Sequence, residues 1–171
     1  MDIVDRKAVF RLPDARPAVL AGIAAGVVST VAQVALWLVF TDAFPDILFR
    51  DARFAAATVL GRGVLPPPAS FDLVVTLAAT VVHFALSIAY GLVLATGIGS
   101  LGLGASVVAG AAFGIALFIV NMYGFTAVFP WFAAARDAIT LAAHVVFGVS
   151  AAAVYHALSA RRRLRIKEKP G

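Results

Sequence analysis

Hydrophobic positions along this chain fall into four long uninterrupted runs, and the charged positions are confined to the gaps between them. Residues 18–40, 73–95, 103–124 and 138–160 each hold 22 or 23 residues with no Asp, Glu, Lys or Arg. About 20 such residues in a helix cross the hydrocarbon core of a bilayer. The pattern therefore predicts four transmembrane helices, TM1 (18–40), TM2 (73–95), TM3 (103–124) and TM4 (138–160), in one all-α integral membrane domain. A soluble helical core would alternate apolar and solvated faces, yet from Leu73 to Ala135 there is no formal charge at all. The first run is also too long for a 7–15-residue signal-peptide core and has no small-x-small site at its end, so it reads as a retained span.

Inside the runs, small and polar residues recur at helical spacing. TM3 carries Ala109-Gly110-x3-Gly114-x6-Asn121, and TM1 carries Ala21-Gly22-x3-Gly26-x6-Gln33, displaced by 88 residues at every position. Steps of four, seven and eleven return to nearly the same side of a helix, so each set forms one stripe. Glycines four apart let helix backbones approach closely, and a carboxamide beyond them can hydrogen-bond a neighbouring helix. Gly22, Gly26, Gly110 and Gly114 are accordingly the candidate helix-packing residues.

The gaps are informative in different ways. Between Thr41 and Asp72, charges mix with Phe44, Ile47, Leu48, Phe49 and Phe54, with Pro45 in the first turn and Gly61 as a stop. This predicts a short interfacial helix between TM1 and TM2. The Gly61 to Pro68 run is an extended connector, and Ser70 and Asp72 suit the start of TM2. Thr96 to Gly104 is glycine-rich and uncharged, a tight connection that predicts an antiparallel TM2–TM3 hairpin.

Several features occur twice in the same order. Phe44-Pro45 and Arg50-Asp51-Ala52 follow TM1; Phe129-Pro130 and Arg136-Asp137-Ala138 follow TM3. Each half then supplies one histidine with a small residue four positions on, His83 with Ser87 and His144 with Gly148. The expectation is a bundle of two duplicated helical hairpins related by a pseudo-twofold axis along the membrane normal. Gln33, His83, Asn121 and His144 then form a candidate intramembrane polar cluster.

Composition sharpens this picture. The chain is 62% hydrophobic and 13% charged, against about 45–50% and about 25% in soluble domains. It has no cysteine, which excludes disulfides, thiolate metal sites and cysteine nucleophiles. Ten Lys and Arg lie in the leader (1–17) and the basic tail (161–171), and four lie in the TM1–TM2 and TM3–TM4 segments. Both termini are therefore expected to be cytoplasmic. The tail reads as a topological anchor to anionic lipid, with no nucleic-acid role.

The Val64-Leu65-Pro66-Pro67-Pro68 connector, the mid-helix histidines in Val82-His83-Phe84 and Ala143-His144-Val145-Val146-Phe147-Gly148, and Phe129-Pro130-Trp131-Phe132 resemble the YagU-like group of small four-span bacterial inner-membrane proteins of uncharacterised function. Some members carry the label sodium:proline symporter. The resemblance covers most of 18–160 and implies a bacterial inner-membrane location. It brings no catalytic residues.

Three roles suit the histidines, one of them a proton-handling or pH-responsive role, because intramembrane ionisable residues are costly to bury. They could ligate one haem b axially between helices, or donate hydrogen bonds to Gln33, Asn121, Ser87 or a backbone carbonyl and steady the packing. His156 is expected near the cytoplasmic interface. The Arg-Asp pairs read as helix capping and interfacial anchoring, because adjacent residues do not face each other on a helix. Trp37 and Trp131 are expected in an interfacial aromatic belt. No phosphate loop, metal cluster or nucleophile triad is present, so the expectation is no enzyme activity and no cofactor. The leading functional expectation is an accessory or scaffold protein acting through packing, with lipids and a homo-oligomer or larger membrane complex as partners. The alternatives are an oligomeric transporter or channel for a small solute or ion, and a haem b electron carrier.

Overall fold

The computed structural model describes residues 14–167, side chains beyond Arg161 excepted. The leader up to Pro13, with Arg6, Lys7 and Arg11, lies outside the described residues, as do Lys169 and the side chains of the basic tail after Arg161. Every regular element among the described residues is helical: α1 (Ala15–Phe40), α2 (Asp46–Leu60), α3 (Leu73–Ile98), α4 (Leu103–Ile119) and α5 (Ala138–Lys167), with short 3-10 turns and one π-helical turn, Val120–Gly124. Four of these segments, Ala15–Phe40, Leu73–Ile98, Leu103–Ala127 and Ala138–Arg161, are long and apolar enough to cross a membrane. They coincide with the four runs to within a few residues, because an unbroken apolar run gives a helix no reason to stop until charge, proline or glycine intervenes.

Caps define two of the starts. Asp72 accepts from the Val75 N–H at 3.0 Å and Asp137 from the Thr140 N–H at 2.7 Å. Replacing either Asp with alanine is expected to lower thermal stability in detergent by about 1 kcal/mol.

The glycine stripes decide which helices pair. Ascending α1 positions meet descending α3 positions: a methyl group built on Gly22 would strike the Ser87 carbonyl, one on Gly26 would lie 3.1 Å from His83 Nε2, and one on Gly91 would lie 2.8 Å from the Gly22 Cα. The same register recurs in α4 and α5, where Gly110 faces the Gly148 carbonyl and Gly114 faces the backbone of His144 and Val145. Both pairs are antiparallel. The stripes on α1 and α4 thus face neither each other nor a free surface. Each is used up inside its own hairpin, packing one helix on the next.

An alanine-rich seam joins the halves. Ala18, Ala21 and Ala25 of α1 are buried together with Ala151, Ala152 and Tyr155 of α5 and Leu94, Ala95 and Ile98 of α3. Helix α5 packs extensively on both α1 and α4, whereas α3 and α4 barely touch despite the short link at 99–102. The expected TM2–TM3 hairpin is therefore tight in connection but not in packing. The same observation removes the pseudo-twofold arrangement, in which the α3–α4 contact would match the α1–α5 contact. The open α3–α4 side is occupied by polar residues at one end of the bundle.

Helix α2 lies on α3 and is tied to the second half by Trp131, whose indole N–H donates to the Phe54 carbonyl at 3.0 Å while Arg62 sits 5.8 Å from its ring. Trp37 is only 2% exposed. Trp37 is therefore a core residue and not the exposed belt residue expected, whereas the half-buried Trp131 clamps two segments together. His156 reaches the Leu101 carbonyl of the α3–α4 link at 2.8 Å.

Candidate functional site

The open α3–α4 side holds a cleft of about 150 Å³ to which all four long helices contribute: Ser29 and Gln33 from α1, His83, Ser87 and Tyr90 from α3, Asn121 from the π turn, and His144 from α5. The four residues singled out from the sequence are thus together. Ser29 and Tyr90 were missed. Tyr90 lies seven residues after His83, two turns along the same face, and that spacing was the available signal.

A directed chain of hydrogen bonds crosses the cleft. His144 Nδ1 lies 2.7 Å from the Thr140 carbonyl, which can only accept, so Nδ1 carries the proton and Nε2 is left as an acceptor. Nε2 takes the Asn121 side-chain N–H at 3.2 Å, and Asn121 Oδ1 accepts from the Tyr90 hydroxyl at 2.8 Å. The order Tyr90 to Asn121 to His144 to Thr140 therefore assigns both the amide orientation and the imidazole tautomer from the network. His83 is held differently: its Nε2 lies 3.3 Å from the Gly26 carbonyl and 3.3 Å from Thr30 Oγ1. Thr30 spends its own proton on the Gly26 carbonyl at 2.9 Å, so His83 Nε2 is the donor.

The π turn puts Asn121 in the chain. At its end the Phe125 N–H bonds to Val120 O, five residues back, and π turns of this kind recur at functional sites. Arg136 closes the turn from outside: Nε donates to the Met122 carbonyl at 2.6 Å, Nη2 to Thr126 Oγ1 at 2.8 Å, and the guanidinium lies 4.4 Å from the Tyr123 ring. Arg136 thus anchors the segment that carries Asn121, a role its sequence position did not reveal.

The Arg-Asp pairs diverge. Asp137 caps α5 as expected. Asp51 lies inside α2 and accepts from Arg50 Nε at 2.8 Å, so these adjacent residues do pair, the long guanidinium curling back over the carboxylate. Burial pushes the Asp51 carboxyl above its ordinary value; Arg50 opposes the rise and the negative charge of Asp137 adds to it. The folded chain therefore holds this proton more tightly than the unfolded chain. That contribution to stability is present below the ordinary carboxylate range and is lost as pH rises through the raised value. Melting temperature in detergent is expected to fall across that window, and Asp51→Asn should flatten the fall.

Haem b does not fit these residues. Both His144 nitrogens are engaged, His83 Nε2 is turned to a backbone carbonyl, and about 150 Å³ is below the roughly 300–1,000 Å³ of pockets for drug-sized ligands. Comparison of the chain with protein-family models, with curated proteins and with solved structures finds no match.

Proposed function

We propose that this is a multi-pass protein of the bacterial inner membrane, with both termini cytoplasmic, that binds and passes a small hydrogen-bonding solute at the cleft between α3 and α4. The observation that carries this reading is the convergence of polar side chains from α1, α3, α5 and the π turn that follows α4 on one open cleft, with Tyr90, Asn121 and His144 ordered by a single chain of hydrogen bonds. Intramembrane polar groups are costly, and packing alone seldom requires so many in one place. The accessory or scaffold role loses its main support, because the small-residue stripes are consumed within the chain. The apolar runs 18–40, 73–95, 103–124 and 138–160 carry no Asp, Glu, Lys or Arg to neutralise an ion, which favours an uncharged solute. We also propose that the two hairpins arose by duplication, supported by the matching register of Gly22 and Gly26 on α3 and of Gly110 and Gly114 on α5.

The test is stopped-flow permeation of water, urea and glycerol into proteoliposomes. Wild-type protein should exceed empty liposomes for at least one solute, and Asn121→Leu and His144→Leu should each cut that excess by about tenfold, the factor that corresponds to 1.4 kcal/mol. Flux equal to that of empty liposomes, or equal in folded variants and wild type, sinks the transport reading.

A further inference from the structure

A second cleft, about 560 Å³, lies between α1, α2 and α3, and shares Gln33 and His83 as wall residues with the polar cleft. Its walls are mainly apolar and aromatic, with Trp37, Phe49, Phe71 and Phe84 around it. Phe49 and Phe71 meet edge to face at 6.1 Å, and Phe71 is 62% exposed.

The polar groups of this cleft have an unusual balance once each proton is followed. Thr76 donates to the Asp72 carbonyl at 2.7 Å, and Thr80 to the Thr76 carbonyl at 2.8 Å. Thr30 donates to Gly26. All three hydroxyl protons are thus spent on the backbone, and Thr76 and Thr80 turn only lone pairs towards the cleft. Asp51 adds a carboxylate whose Oδ1 takes the Arg50 guanidinium, leaving Oδ2 without a protein partner among the described residues. Trp37 contributes ring surface only, because its indole N–H is fully covered. Gln33 is the one amide donor on the wall. A ligand suited to this site brings hydrogen-bond donors and positive charge on an apolar body, since ring faces and carboxylates both attract cations.

We propose that the α1–α2–α3 cleft binds a lipophilic amine, its ammonium head hydrogen-bonded to Asp51 and the Thr76 and Thr80 hydroxyls and its apolar body among Trp37, Phe49 and Phe84. Arg50 and Asp137 are the charged groups that bear on Asp51. Their opposite charges leave the carboxylate's free oxygen as the attractive pole. This assignment is independent of solute passage through the polar cleft.

The probe is 4-phenylbutylamine, with the neutral isostere 4-phenylbutanol, in equilibrium dialysis against the full chain in nanodiscs, empty nanodiscs subtracted. Saturable amine binding at least about tenfold tighter than alcohol binding is expected, the scale of one charge-assisted hydrogen bond. Asp51→Asn should remove that preference while leaving the alcohol unchanged. Thr80→Val, which keeps shape and loses the acceptor, should weaken the amine by a few-fold and serves if the Asp51 variant does not fold. Equal binding of amine and alcohol, no saturable amine binding, or an undiminished preference in a folded Asp51→Asn or Thr80→Val protein overturns the assignment.

Discussion

Gly148→Val should separate α4 from α5 and lower stability by on the order of 3 kcal/mol or more, at or beyond the upper end of ordinary overpacking. A Cβ at this position would strike the Gly110 carbonyl oxygen and lie 2.9 Å from the Gly110 carbonyl carbon and 3.0 Å from the Gly114 nitrogen. All three are backbone atoms, so no flexible side chain can swing aside and relieve the clash. Relief requires the helices to move apart, which breaks the one extensive contact α4 makes with another long helix. For a chain of this size each kcal/mol shifts the melting temperature by about 2–4 °C. The variant should therefore melt about 6–12 °C lower in detergent, or fail to fold. Gly97→Ala is the matching control, since nothing lies within 4 Å of its Cβ position. It replaces a glycine in the last turn of α3 and should be neutral or stabilise slightly, by about 0.5 kcal/mol or less. Equal melting of wild type and Gly148→Val would show that α4 and α5 are not in this contact.

Arg53→Met should have the next largest effect, and it should act on the connector. Arg53 is 8% exposed inside α2, with Nη1 donating to the Val64 carbonyl and Nη2 to the Ser70 carbonyl, each at 3.1 Å. One planar fork thus ties both ends of the 64–70 stretch to α2. Methionine fills similar space but donates nothing, so both carbonyls lose a charged donor, at about 1.5–3 kcal/mol each before water compensates. A net loss of about 3 kcal/mol is expected. The connector contains Arg62, a trypsin site, and limited tryptic cleavage there should accelerate at least tenfold. Arg53→Lys should rescue only partly, because an ammonium cannot reproduce the planar fork that reaches two carbonyls. Unchanged cleavage at Arg62 in Arg53→Met would mean that the connector is held by its own apolar contacts.

Half of the candidate site was legible in residue spacing. Gln33 and Asn121 sit one helical face along from their glycine pairs, and His83 and His144 interrupt otherwise apolar runs, so each stood out locally. Tyr90, Thr30, Thr140 and Arg136 did not. Tyrosine and threonine are unremarkable in an apolar run, and Arg136 lies 14 residues from the Met122 carbonyl it holds. Trp37 was misread for a related reason: a tryptophan near the end of a span suits a membrane interface equally well, unless another segment folds over it.

The sequence by itself determined the number of long helices, their limits to within a few residues, the caps at Asp72 and Asp137 and the two small-residue faces, because each depends on residues within a few turns of one another. Only the tertiary structure decided what those faces meet. A glycine stripe states that some backbone comes close, but the identity of that backbone depends on a complementary surface dozens of residues away. Here α1 takes α3 and α4 takes α5, α1 and α5 close the bundle through alanine, and α3 stays apart from α4. That last separation leaves polar side chains from distant parts of the chain around one open cleft.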